Sequence, residues 1–235
     1  MTRQILNMRE YNNKILKLWK KNFKNREDVL TPGIYPNLAK NSLLFIGLNP
    51  SFSKRGFSTI LKDSKFNSID PPEFYRWANY SEEVYKTAIE LEELAILKYQ
   101  YFKKMKNLAE GFNLAFAHID LFNVRLTSQK EFKTKIYNGS EINDFGASQL
   151  SIAYEIIQDL SPVAIVVANA LASNILKDFD VFKTESSDSL GCDHLEYSGR
   201  KVPVFFSSML SGQRALDNFS FQRLQWHIRY VLTKS

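Results

Sequence analysis

A side-chain carboxamide aimed from the end of a buried strand can hold a water molecule or the edge of a base. Residues 43–51 place one there: Leu43-Leu44-Phe45-Ile46-Gly47-Leu48-Asn49-Pro50-Ser51. An apolar run this short, stopped by Gly and Asn-Pro, predicts a central parallel strand feeding a tight turn. In open α/β sheets ligands bind at the carboxyl ends of such strands. Pro50 fixes its own φ, removes a backbone donor and biases Asn49 towards an extended conformation, so the amide is directed. The plainer role for Asn49 is to cap the turn through Asx geometry.

Other groups with chemistry cluster in a few places. Asn123 stands in Leu121-Phe122-Asn123-Val124-Arg125, after a second apolar run. Ser207, Ser208 and Ser211 surround Met209 and Leu210, again after an apolar run. Lys54 and Arg55 lie in the loop after the first strand, where they read equally as a basic surface loop. His118, Cys192, Asp193 and His194 lack metal-ligand spacing, so no metal site is expected. No base is identifiable beside Cys192, and no Gly-x-Gly-x-x-Gly or P-loop run is present, so no cofactor is expected.

These groups need a frame. The 235 residues suffice for one large domain with a substantial core, and 44% hydrophobic with 24% charged residues is ordinary globular composition. The net charge of +6 leans weakly towards a polyanionic partner. One cysteine excludes an intrachain disulfide and, with no apolar stretch near eighteen residues and a polar N-terminus, suggests a cytoplasmic protein without membrane contact.

Periodicity predicts a helix over 5–23 within an N-terminal extension of about 40 residues, then a strand over 42–48. The stretch 49–72 reads as a long irregular loop, followed by one helix over 81–110 whose late lysines, Lys103, Lys104 and Lys106, form a solvated end. Strands follow at 112–121 and 163–168, separated by a helix over 144–160, with a short helix to about Lys177. A hairpin at 193–206 supplies a fourth core strand, and a helix over 220–232 closes the chain. The expectation is a single domain over 1–235: a three-layer α/β/α sandwich on a central four-stranded, mainly parallel sheet.

The order of these motifs resembles the uracil-DNA glycosylase superfamily in its mismatch-specific and single-strand-selective branches. The resemblance rests on Gly47-Leu48-Asn49-Pro50, on Leu121-Phe122-Asn123-Val124-Arg125, on the unit from Val163 to Leu176, and on Phe205-Phe206-Ser207-Ser208-Met209-Leu210-Ser211. It spans roughly Ser42 to Leu232. In two places the chain departs: Ser207-Ser208 stand where the family's last motif begins with His-Pro or Asn-Pro, and Ser51 follows Pro50 where Gly is common.

The resemblance implies removal of uracil or a related damaged base from single- or double-stranded DNA by a monomeric enzyme. Asn49 then positions the attacking water, within a pocket that Gly47, Leu48 and Pro50 help to form. An amide is a poor base, so such an enzyme relies on electrostatic preorganisation. Asn123 reads the base, its oxygen matching uracil N3–H and its nitrogen matching O4, a pairing of about 1–3 kcal/mol. Phe57, or alternatively Phe52, stacks on the extruded base. Ser207 and Ser208 stand in for the anion-stabilising residues, more weakly than a histidine, so a slow enzyme is expected. Ser51, Lys54, Arg55, Ser211 and Arg214 meet the DNA backbone, and Met209 or Leu210 wedges into the vacated stack. The alternative is a member of the same fold that binds nucleic acid or a free base without catalysis, which the missing His-Pro pair favours.

Overall fold

A computed structural model describes residues 4–24, 26–179, 182, 184–212 and 215–234. The N-terminal segment is a short strand β1 (Ile5–Leu6) followed by helix α1 (Arg9–Phe23), rather than one helix from Ile5. Tyr11, Ile15 and Trp19 form the buried stripe of α1. Strand β2 (Leu38–Ala39) pairs antiparallel with β1 and leads directly into β3 (Ser42–Gly47), which is buried at every position.

The expected loop after β3 contains two helices. Ser53 caps α2 (Lys54–Leu61) by accepting from the Gly56 N–H at 3.1 Å, and Phe57, Ile60 and Leu61 give it an apolar face. The short α3 (Pro71–Phe74) begins with a proline pair. The expected single long helix is two, α4 (Glu82–Lys98) and α5 (Gln100–Glu110), because Tyr99 turns extended between them at ψ 127°. Strand β4 (Ala115–Asp120) follows.

Next come α6 (Gln129–Ile136), a small hairpin of β5 (Tyr137–Asn138) and β6 (Glu141–Ile142), and α7 (Asp144–Leu160). Ser161 ends α7 in the left-handed region at φ 49°. Strand β7 (Ala164–Ala168) and helix α8 (Ala170–Asp178) lead to β8 (Thr184–Ser187), β9 (Cys192–Tyr197) and β10 (Arg200–Ser207), and α9 (Asn218–Lys234) completes the described chain.

The central sheet has six strands in the order β4-β3-β7-β10-β9-β8, not four. The four expected strands are there and run parallel; the first hairpin arm, β9, then joins antiparallel to β10 and recruits β8 at the edge. Successive residues of β3 face opposite ways, and both faces are apolar, as a strand covered on two sides requires. Leu44 and Ile46 join a cluster containing Tyr11, Ile15, Trp19, Ile152, Ile156 and Ile157 from α1 and α7. Leu43 and Phe45 join a second cluster with Met105 and Leu108 of α5 and Ile228 and Val231 of α9. Helices thus cover both faces of a mostly parallel sheet.

The chain leaves β3 for β4 on one side, and later leaves β7 for β10 on the other. That reversal opens a crevice at the carboxyl ends of the central strands, where such sheets bind ligands. The loops carrying Asn49 and Asn123, and the one that follows Ser207 at the end of β10, all leave the sheet at this edge.

Candidate functional site at the carboxyl edge of the sheet

Beyond Gly47 the two chains stay paired for two more residues. The Leu121 N–H donates to the Gly47 carbonyl at 3.1 Å and the Phe122 N–H to that of Leu48 at 3.0 Å. This extension delivers Asn49 against the loop after β4. Its Nδ2 donates to the carbonyls of Leu126 at 2.7 Å and Val124 at 3.0 Å, with a longer contact to Pro50 O at 3.4 Å. Both amide protons are therefore used by the backbone. Oδ1 has no donor among the described residues, and the side chain is only half-buried. The carboxamide cannot flip without giving up those bonds, so its oxygen stays available as an acceptor.

Asn123 sits differently. It is 3% exposed, its N–H donates to Gln149 Oε1 at 2.7 Å, and its Nδ2 donates to Gly33 O at 2.9 Å and to Tyr35 Oη at 3.0 Å. Tyr35 Oη in turn accepts from the Asp120 N–H and donates to its carbonyl, each at 3.1 Å. The Gly33 N–H donates to the Asn123 carbonyl at 2.7 Å, and a Cβ on Gly33 would come within 2.8 Å of Pro50 Cγ. Asn49 and Asn123 thus brace neighbouring loops, with Gly33 and Pro50 packed together beside them. In this arrangement Asn123 has no N–H left for a base.

The aromatic neighbours divide in the same way. Phe57 is buried in the core, stacked on Phe52 at 5.7 Å with the rings inclined by 28°, and edge-on to Tyr75 at 5.3 Å and to Tyr99 at 6.2 Å. Phe52 is half-buried and accepts at its carbonyl from Thr127 Oγ1 at 3.0 Å. It lines a cleft of about 220 Å³ with Trp19, Phe23, Val124, Leu126 and Thr127, so the cleft borders the loop that Asn49 holds. Asp28, Arg125, Glu131 and Lys135 line it too, so charged groups share the cleft with the rings. Of the two rings considered for stacking, Phe52 is the accessible one. Ser51, Lys54 and Arg55 are exposed at the entry to α2, Lys54 paired with Asp70 at 3.5 Å.

The last loop is mixed. Ser207, Ser208, Met209 and Ser211 are half-buried. Ser207 Oγ is buried with no hydrogen-bond partner among the described residues, while its carbonyl accepts from Ser173 Oγ at 3.5 Å. Ser211 Oγ donates to Tyr101 O at 3.2 Å, tying this loop to α5. Leu210 is fully buried in the cluster beneath the sheet, so it is an anchor of the loop and not a wedge free to enter DNA. Arg214 lies outside the described residues.

The sequence offers His118 only as a metal ligand and assigns no role to Asp120, yet the two form a polar group beside Gly47. His118 and Asp120 sit two apart on β4 and point to one face, where Gly47 lacks a side chain. His118 is buried, its Nε2 without a hydrogen-bond partner among the described residues, edge-on to Phe102 at 5.0 Å and to Tyr101 at 5.9 Å, and burial pushes its pKa down to about 3. Burial, reinforced by the charge of Glu92 and offset in part by Arg125, pushes the Asp120 carboxyl up to about 7. Arg125 is buried, ion-paired with Glu92 and stacked 4.2 Å over the Tyr75 ring. A charged residue closing a strand three positions before Asn123 was the available signal. Among the described residues no group of three or more His, Cys, Asp or Glu is placed to hold a metal, and the Cys192 thiol is buried with its pKa raised by burial.

Set beside known proteins, the chain matches no family model and no curated relative.

Proposed function

We propose that this protein hydrolyses the N-glycosidic bond of uracil or a related damaged base in DNA, at the carboxyl edge of the sheet beside β3. The observation that carries the reading is the state of Asn49. Its amide nitrogen is fixed on two backbone carbonyls, at 2.7 and 3.0 Å, and its oxygen is left as a free acceptor at a ligand-binding edge. An acceptor so held can orient a water for attack on an extruded nucleotide without first reorganising. The aromatic cleft walled by Phe52 supports it, since its volume of about 220 Å³ suits one pyrimidine. Neutral Ser207 and Ser208 in the last loop imply slow turnover.

A second reading, binding of nucleic acid or a free base without catalysis, draws on Asn123. Its donors are spent on Gly33 and Tyr35, which removes the paired readout that a uracil pocket would take from that side chain.

Uracil-containing single- and double-stranded oligonucleotides, assayed for alkali-labile abasic sites, separate the two. Base release by the wild type and its loss in Asn49→Ala are the expected results. Asn49→Asp retains an oxygen but cannot donate to Val124 and Leu126, so it should lose release and also destabilise the fold more than Asn49→Ala does. Salt-sensitive DNA binding with no base release across uracil and related lesions would leave the binding reading. An Asn49→Ala protein as active as wild type would remove Asn49 from the chemistry.

A further inference from the structure

The outward side of α9 has the wrong residues for a helix that faces only water. Its inner side is ordinary: Ile228 and Val231 are fully covered, with Phe221, Leu224 and Leu232 packed against the same cluster. On the outer side Phe219, Arg223, Trp226 and Tyr230 succeed one another at helical spacing, along about 16 Å of axis. Phe219 is 75% exposed, Trp226 65% and Tyr230 37%. The last two rings are stacked on each other, 5.4 Å apart and 11° from parallel. Single exposed rings need no explanation, but a row of three marks a contact surface.

The charges around the row select the partner. Helix α9 contains Arg223, Arg229 and Lys234 and no Asp or Glu. Among the described residues none of these three enters an ion pair. Arg229 lies 5.5 Å over the Phe112 ring, and Lys104 of α5 lies 5.4 Å over Phe221, adding positive charge beside the helix. Pairing this face with its own copy across a twofold would set mainly cations against cations, since Asp217, just before the helix, already accepts from the N–H and Oγ of Ser220. Duplex DNA offers phosphates but keeps its base faces stacked. A single strand offers both phosphates and bare ring faces.

We propose that the outer face of α9 binds single-stranded nucleic acid, with Trp226, Tyr230 and Phe219 stacking on bases and Arg223, Arg229 and Lys104 meeting phosphates. None of these residues belongs to the Asn49 site, so the binding works whether or not that site cleaves anything.

The protein carries its own reporter. Of its three tryptophans, Trp19 is 1% and Trp77 7% exposed, so Trp226 alone can be quenched by a stacking base. Titrating the full chain with a twelve-residue oligothymidylate, free of uracil or lesions, should quench this fluorescence. Trp226→Ala/Tyr230→Ala should weaken binding of the labelled oligonucleotide at least tenfold, read by anisotropy, with an unchanged thermal midpoint because both rings are exposed. Trp226→Phe/Tyr230→Phe keeps the ring faces and should stay within about threefold of wild type. Arg223→Gln/Arg229→Gln should reduce the salt slope by about 1.4, two phosphate contacts at about 0.7 each.

Several results would overturn the proposal. These are no quenching at low salt, equal affinity in the double alanine variant, or a concentration-dependent dimer that Trp226→Ala abolishes. Preference for duplex DNA or anionic vesicles over the single strand would do the same. Asn49→Ala should bind the oligothymidylate as wild type does. Absence of base release with this binding intact therefore counts against the glycosylase reading alone, and the converse counts against α9 alone.

Discussion

Gly47 and Asp120 face each other across the β3–β4 pair so closely that a methyl group on Gly47 would overlap the Asp120 carboxylate and come within 3.3 Å of His118 Nε2. The missing side chain of one residue is the space that the other's charge occupies. Gly47→Ala should therefore cost about 1–3 kcal/mol by overpacking. In an Asp120→Ala background the same change should cost clearly less. Urea unfolding of the four proteins measures the difference as a double-mutant cycle; equal costs in both backgrounds would refute the steric account.

The Asp120 carboxyl makes stability depend on pH in a defined sense. Its pKa rises on folding from an ordinary 3.8 to about 7, so the folded state holds the proton more tightly. The stability this contributes is complete below about pH 4 and is lost as pH rises through 7. Wild type should lose ground steadily to Asp120→Asn across that window. His118 titrates in the opposite sense, its folded value depressed to about 3, but it is present in both proteins and cancels from the comparison. Urea midpoints at half-unit steps from pH 4 to 8 provide the check. A difference between the two proteins that is flat with pH would be incompatible with the raised carboxyl.

Arg125 and Glu92 form an ion pair in which the arginine side chain is 1% exposed and the carboxylate 18%. Arg125→Ala leaves Glu92 without its partner and strips the cation from above Tyr75, so a loss of about 3–5 kcal/mol is expected. Replacing both, as Arg125→Met/Glu92→Leu, should recover most of that loss, because no unpaired charge then remains. Denaturant unfolding decides it: a double variant as damaged as the single one would show that geometry, not uncompensated charge, sets the cost.

The β9–β10 hairpin turns on Ser198 and Gly199, with φ of 49° and 73°. Two successive left-handed residues favour Asn-Gly. Ser198→Asn should stabilise the protein by about 0.5–1 kcal/mol, visible as a higher thermal midpoint.

The strand ending at Gly47 was readable because a continuous apolar run and an Asn-Pro stop have few other meanings. Helix α2 was also within reach: Ser53 three residues before Gly56, then Phe57, Ile60 and Leu61 at helical spacing, form a cap and a face inside a stretch that otherwise looks like loop. The break at Tyr99 was not, since neither Gly nor Pro marks it and the pattern on either side is helical. Nor was β8, whose Thr-Glu-Ser-Ser sequence has no apolar alternation and becomes a strand through pairing with β9. At the site, Asn49 and Asn123 are alike on the page. Their difference comes from Gly33 and Tyr35, about ninety residues before Asn123, whose oxygens take up its amide protons.

The bonds from Asn49 to Leu126 and Val124 have a mechanical side. They strap the exit of one strand to the exit of its neighbour, so the two connections cannot part separately. A guest that pries up the Phe52 loop must drag the Leu126 loop along or unfasten the strap. With the bond from Thr127 Oγ1 to the Phe52 carbonyl, these bonds couple the orientation of the Asn49 oxygen to the position of both loops.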